Sequence, residues 1–212
     1  MKNKNIGLKI ILLSILVFLS VFAYAKENIE FHSGLEYCHY LNFNNNDIFS
    51  NSFSIFFGFV GTHYFNNSIG LLVNMNLNIP FIYIVTYSHS STVVTWIDNI
   101  FWIGIDGFIG PNFNLLKLRK FIFSLSPGIH LMSIQTIYDK LGSINRSMGI
   151  GANFGYQWFF SNNIYISLKV FGFYHFISGN EIKNIYKFFT DKPNFDNMYL
   201  GIKPMLGIGL KL

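Results

Sequence analysis

Charge is scarce in this sequence: Asp, Glu, Lys and Arg make up only 12% of its 212 residues, where a soluble domain carries about 25%. Cysteine is almost absent. Cys38 stands alone, which excludes an intramolecular disulfide and any zinc centre built on paired thiolates. No Lys- or Arg-rich run occurs, and the formal net charge of +5 owes much to Lys2, Lys4 and Lys9. Setting those three aside leaves 12 basic against 10 acidic residues, which gives no footprint for nucleic acid. Long apolar runs are missing too. Beyond the N-terminus, no window supplies the roughly 18 apolar residues that a membrane-spanning helix needs. Yet 51% of the residues are hydrophobic, 19% are aromatic and the mean hydropathy is +0.36. The chain is too apolar for a soluble surface and too interrupted for a helical bundle. A membrane β-barrel reconciles these facts, because its apolar residues alternate with small and polar ones.

The N-terminus carries a secretion signal. Met1–Lys9 is basic, Ile10–Phe22 is apolar apart from two serines, and Ala23-Tyr24-Ala25 places small residues at −3 and −1 of a cut before Lys26. Residues 1–25 are therefore expected to be a cleaved signal peptide, with 26–212 forming the mature domain. The cut site lacks the cysteine of a lipoprotein.

From residue 29 the hydrophobic period is two, and it recurs in eight runs. In the first, Phe31, Leu35 and Tyr37 oppose Glu30, His32, Gly34, Glu36 and Cys38. The third sets Ile69, Leu71, Val73, Met75, Leu77 and Ile79 against Gly70, Leu72, Asn74, Asn76 and Asn78. The sixth sets Met148–Trp158 in steps of two against Gly149, Gly151, Asn153, Gly155 and Gln157, and the last sets Leu200–Leu212 against Gly201, Lys203, Met205, Gly207, Gly209 and Lys211. Runs of ten or so residues are long enough for a tilted strand to cross the hydrocarbon layer. One face is continuously apolar, and the other is rich in Gly, Asn and Ser. A soluble sandwich would put Lys, Glu and Thr on that second face. A narrow barrel needs glycine there, so that Phe108, Phe159 or Phe171 can fit across the bore.

The expected connections are about 41–51, 65–68, 81–98, 112–119, 134–146, 161–163 and 178–197. Long and short alternate, as they do in an even-stranded barrel with both termini in the periplasm. Phe81–Val85 and Val93–Ile97 flank the polar tip Tyr87–Thr92 and are β-prone, which predicts a hairpin protruding beyond the membrane. Aromatic residues gather near both ends of the runs, as interfacial girdles do.

With strand number, loop order and the closing Met205–Leu212 strand in hand, residues 26–212 resemble the small eight-stranded outer-membrane proteins, the OmpA transmembrane-domain and OmpX group. The resemblance implies an all-β fold, an eight-stranded antiparallel up-and-down transmembrane β-barrel in the outer membrane. It also implies contact with outer-membrane lipids and with the assembly machinery that reads the last strand. Members commonly end on an aromatic residue; here the last residue is Leu212.

Inward-facing charges form the candidate site. Glu36, Asp106, Lys169 and Lys203 are expected to build a polar network in the lumen, with Glu30 and Lys211 nearer the periplasmic end. Closure makes the first and last strands neighbours, so Glu36 and Lys203 can pair. His32, His130 and His175 face inward from different strands without metal-ligand spacing, and read as hydrogen-bonded lumen histidines. His89 and Ser91 share a strand face in the third loop, but no acid stands near them to complete a hydrolytic triad. No catalytic residue, cofactor or metal is assigned. The expected function is a non-enzymatic, monomeric barrel displaying long loops to a host or surface ligand. A partly open, porin-like lumen carrying a lipid or small apolar molecule is the alternative.

Overall fold

A computed structural model of the chain describes residues 28–42, 48–87, 90–96, 101–138, 141–179 and 197–212. The expected signal peptide, His89 and the charged stretch 180–196 lie outside the described residues. Nine strands form among the described residues: β1 (Asn28–Asn42), β2 (Ile48–Tyr64), β3 (Ile69–Tyr87), β4 (Ser90–Trp96), β5 (Phe101–Lys117), β6 (Phe121–Tyr138), β7 (Leu141–Phe159), β8 (Ile164–Gly179) and β9 (Asn197–Lys211). All pairings are antiparallel, and β1 pairs with both β2 and β9. Eight strands close in the order β1, β2, β3, β5, β6, β7, β8, β9. Closure pairs the backbone groups between strands, as spanning a membrane requires.

The alternation sorts the side chains as the period of two demands. Outward residues such as Leu35, Ile150, Phe154 and Leu206 are each more than half exposed, while His32, Phe56, His130, His175 and Lys203 are fully buried. This barrel is inverted relative to a soluble protein: apolar outside, polar inside. Exposed large apolar side chains on every strand of the closed barrel make sense only against hydrocarbon. Aromatic pairs mark the two rims. Phe31–Phe59, Trp158–Phe160 and the Phe121–Tyr156 stack lie toward the end holding Asn28 and Lys211. Tyr37–Phe53 and Tyr174–Phe176 lie toward the other.

The short connections share the end that holds both chain ends of the barrel. In the 65–68 turn, Asn66 Oδ1 accepts hydrogen bonds from the Ser68 and Ile69 amides at 2.9 and 2.8 Å. In the 160–163 turn, Ser161 Oγ accepts from Asn163 and Ile164. Asn and Ser tie down tight turns in this way. At both ends of the barrel the strands run further than the hydrophobic pattern predicts. Residues 112–117 belong to β5, and β6 and β7 stay paired up to Tyr138↔Leu141. The expected loops at 112–119 and 134–146 are thus mostly strand. Backbone pairing continues after the apolar alternation stops, because a strand outside the hydrocarbon has no need of it.

Two irregularities matter. Between Ile109↔Ile129 and Phe113↔Leu125 the β5–β6 ladder is interrupted. There Gly110-Pro111 faces Pro127-Gly128, and proline has no N–H to donate. Below it, a bulge places Leu115 between Asn114↔Ser124 and Leu116↔Phe123.

Glycine fits the bore as the sequence requires. A Cβ on Gly201 would collide with the Phe173 ring, and one on Gly209 with Tyr165. Gly201→Leu should therefore prevent Phe173 from seating. The expected result is a loss of at least about 1–3 kcal/mol or failure to reach the fast-migrating folded form on unboiled gels. A variant with wild-type mobility and unfolding midpoint would contradict this packing.

Candidate functional site

The middle of the bore is filled. Phe56, Phe108, Phe171, Phe173 and Met205 form a buried cluster, with Phe108 and Phe171 edge to face at 5.0 Å and Phe171 stacked on Phe173 at 5.8 Å. Embedded in it is Lys203, whose ammonium lies 5.3 Å from the Phe56 ring centre and 5.5 Å from that of Phe173. Lys203 bonds Asp106 directly and stands 3.3 Å from Glu36 Oε1. The neighbours β1 and β9 bring Glu36 and Lys203 together, and Asp106 reaches them from β5 across the bore.

Asp106 is the hub. Its Oδ1 accepts from Asn76 Nδ2 at 2.7 Å and His130 Nε2 at 3.0 Å, and its Oδ2 accepts from Asn78 Nδ2 and Lys203. Four donors on one carboxylate satisfy a charge that water cannot reach. An ionised carboxylate only accepts, so it also fixes the protons beyond it. His130 must carry its proton on Nε2. Its Nδ1 then accepts from His175 Nε2 at 2.7 Å, and His175 Nδ1 accepts from the Ser147 hydroxyl at 2.7 Å. Asn76, donating to Asp106, presents its Oδ1 to His32 Nε2 at 2.7 Å. Every proton in this chain points one way, from Ser147 and His32 toward Asp106.

Lys169 does not join that group. It pairs with Glu30 Oε2 at 2.7 Å, closer to the end that holds Asn28 and Lys211. The four predicted residues therefore divide into a triad and a separate pair completed by Glu30. The division follows from the pairing register: Lys169 sits opposite Met205, two residues below Lys203 on β9. Hydrophobic period alone does not carry that offset. Ser147 was also out of reach of the pattern, falling at the edge of a presumed loop just before Met148.

The three lumen histidines are all buried within these networks, and among the described residues no group of three His, Cys, Asp or Glu is placed to hold a metal ion. Cys38 is buried against the aromatic cluster as a small filler. Ser91 lies in β4, and its predicted companion His89 lies outside the described residues.

The second candidate is at the opposite end from the short turns. From Ile69 to Asn78, β3 pairs with β5; from Ile82 upward it pairs with β4 instead. β2 follows β3 all the way to Ile48↔Tyr87, with a bulge at Phe53/Ser54 beside Pro80. A three-stranded extension β2–β3–β4 thus rises above the closed barrel. β4 pairs only with β3 among the described residues, so the backbone of Ser90–Trp96 presents a free edge.

No family model and no curated protein sequence matches the chain. Solved structures do. Neisserial surface protein A is similar at 9% identity, with 87% of this chain and 97% of that one covered and a TM-score of 0.52. The outer membrane protein OprG from Pseudomonas aeruginosa is similar at 8% identity, with 89% and 97% covered and a TM-score of 0.51. The likeness is one of fold, and with the lipid-facing apolar surface and polar bore it makes the chain an integral β-barrel of the bacterial outer membrane.

Proposed function

We propose that the protein is a non-enzymatic surface barrel that engages an external partner through its β2–β4 extension. The observation that carries this reading is the free β4 edge. Ser-Ser-Thr-Val-Val-Thr-Trp has no charge and no proline to blunt it, and an edge of that kind accepts an added strand through its backbone. The packed mid-lumen supports a non-conducting role: aromatic rings and the Lys203 triad occupy the space a solute would need. In the Ser147–His175–His130–Asp106 chain the carboxylate is already committed to a lysine, which fits a brace between strands better than a base for catalysis. Outer-membrane lipids cover the apolar belt. The assembly machinery is the proposed reader of β9, whose outward Leu206, Ile208 and Leu210 lie in one row, and a monomer suffices for the whole arrangement.

The test is adhesion of whole cells to immobilised extracellular-matrix components and to cultured host cells. Replacing residues 83–96 with a two-residue turn should reduce adhesion about tenfold or more, the scale of losing a main-chain interface. The folded gel form should remain. Undiminished adhesion would contradict the proposal.

A further inference from the structure

The periplasmic mouth of the bore opens into a cavity of about 490 Å³. Its wall is built with care. Asn112 Nδ2 donates to the Tyr64 hydroxyl at 3.1 Å, Tyr64 donates to Asn114 Oδ1 at 3.2 Å, and Asn114 Nδ2 donates to the Asn67 carbonyl at 3.1 Å. These side chains are locked before any ligand arrives, which lowers the ordering cost of binding.

Two lysines line this cavity, and each is there for a structural reason. Lys211 sits at the foot of β9, paired in register with Asn28. Lys117 is brought round by the β5 bulge. Asn114 is on the bore side, Leu115 and Leu116 are both exposed, and Lys117 then pairs with the buried Ile122. Without the extra residue the alternation would send Lys117 outward, and a bulge commonly re-aims a side chain in this way. Neither lysine forms an ion pair among the described residues. The three described acids, Glu30, Glu36 and Asp106, are all held by lysines deeper in the bore. On β1, opposite Lys211, Asn28 is buried to 3% exposure, and its Oδ1 has no hydrogen-bond donor among the described residues. A buried acceptor without a donor is costly to leave unmet, and a ligand N–H would satisfy it.

We propose that this mouth is a binding site for a carboxylate-bearing peptide of the cell-wall stem type, with its carboxylate on Lys117 and Lys211 and an amide N–H on Asn28. Two cations, a buried amide acceptor and a pocket of this volume match a short peptide better than a phosphate headgroup. Lipid headgroups would meet the outside of the strand wall, and the basic residues exposed in the 118–120 turn are Arg119 and Lys120. The site would tie the barrel to the polymer beneath it. It is independent of the extracellular reading and rests only on which end faces the periplasm.

The test uses the folded full-length mature protein in neutral detergent, titrated calorimetrically with soluble muropeptides released from purified cell walls by a muramidase. Saturable, salt-sensitive binding is expected. K117Q/K211Q should weaken it about tenfold or more, and N28L should weaken it as well. R119Q/K120Q should leave it unchanged. Retained fast mobility on unboiled gels shows that each variant is folded. No binding by the wild type, or equal binding by K117Q/K211Q, would overturn the proposal. So would displacement of the muropeptide by phosphatidylglycerol micelles with the same dependence on Lys117 and Lys211, since that would assign the site to lipid.

Discussion

Lys203→Met should be the most damaging single substitution in the bore, lowering stability by about 3–5 kcal/mol, the usual loss when one partner of a buried ion pair is removed. Lys203 is fully buried and holds both Glu36 and Asp106. Methionine fills nearly the same volume, so the loss reports charge rather than a cavity. Two carboxylates would then face each other in a bore that excludes water. Asp106 would retain its donors from Asn76, Asn78 and His130, but Glu36 would have no cation. Urea unfolding in detergent micelles reads the change as a shifted midpoint. The rescue is diagnostic. Adding Glu36→Gln and Asp106→Asn to Lys203→Met should recover most of the loss, because a neutral bore needs no cation. A Lys203→Met barrel as stable as wild type would show that the triad does not hold β1, β5 and β9 together.

Leu206→Arg carries the second large effect. In a soluble protein a leucine 58% exposed could become arginine with a change within about 0.5 kcal/mol. Leu206 lies on the outward face of β9, between the exposed Leu200 and Leu210. There arginine must enter hydrocarbon, at about 2–4 kcal/mol near the midplane. Leu118→Arg, in the short turn 118–120, makes the comparison: a similar residue at a similar exposure should cost only about 0–1 kcal/mol near the interface. Equal and small losses at both positions, measured in lipid vesicles, would mean that the apolar belt does not contact lipid.

The faces of the strands were legible in the sequence because a period of two leaves no freedom once one residue is placed. Glu36, His32 and Cys38 had to share a side, as did Lys203 and Lys211, and closure put β1 beside β9. Contacts across the bore were not legible. Asp106 meets Lys203, and Lys169 meets Glu30, through the stagger between strands that are not sequence neighbours, and no local pattern encodes that stagger. Lys117 is the instructive failure. It lay in a presumed turn, although the adjacent Leu115-Leu116 breaks the alternation in the one way a bulge allows, and that doublet was the available signal. The β2–β4 extension was legible from β-prone residues on either side of a polar tip. That β3 exchanges β5 for β4 between Asn78 and Ile82 follows only from the pairing.

The most direct test of the account is gel mobility of the protein from a purified outer-membrane fraction, with and without boiling in mild detergent. A closed barrel whose backbone groups are paired strand to strand resists the detergent until heated. The protein should therefore remain in the membrane through high-salt and carbonate washes, run fast when unboiled and shift to its full apparent mass on boiling. Recovery in the soluble periplasmic extract with a single mobility in both samples would contradict a membrane-spanning barrel and every role derived from it.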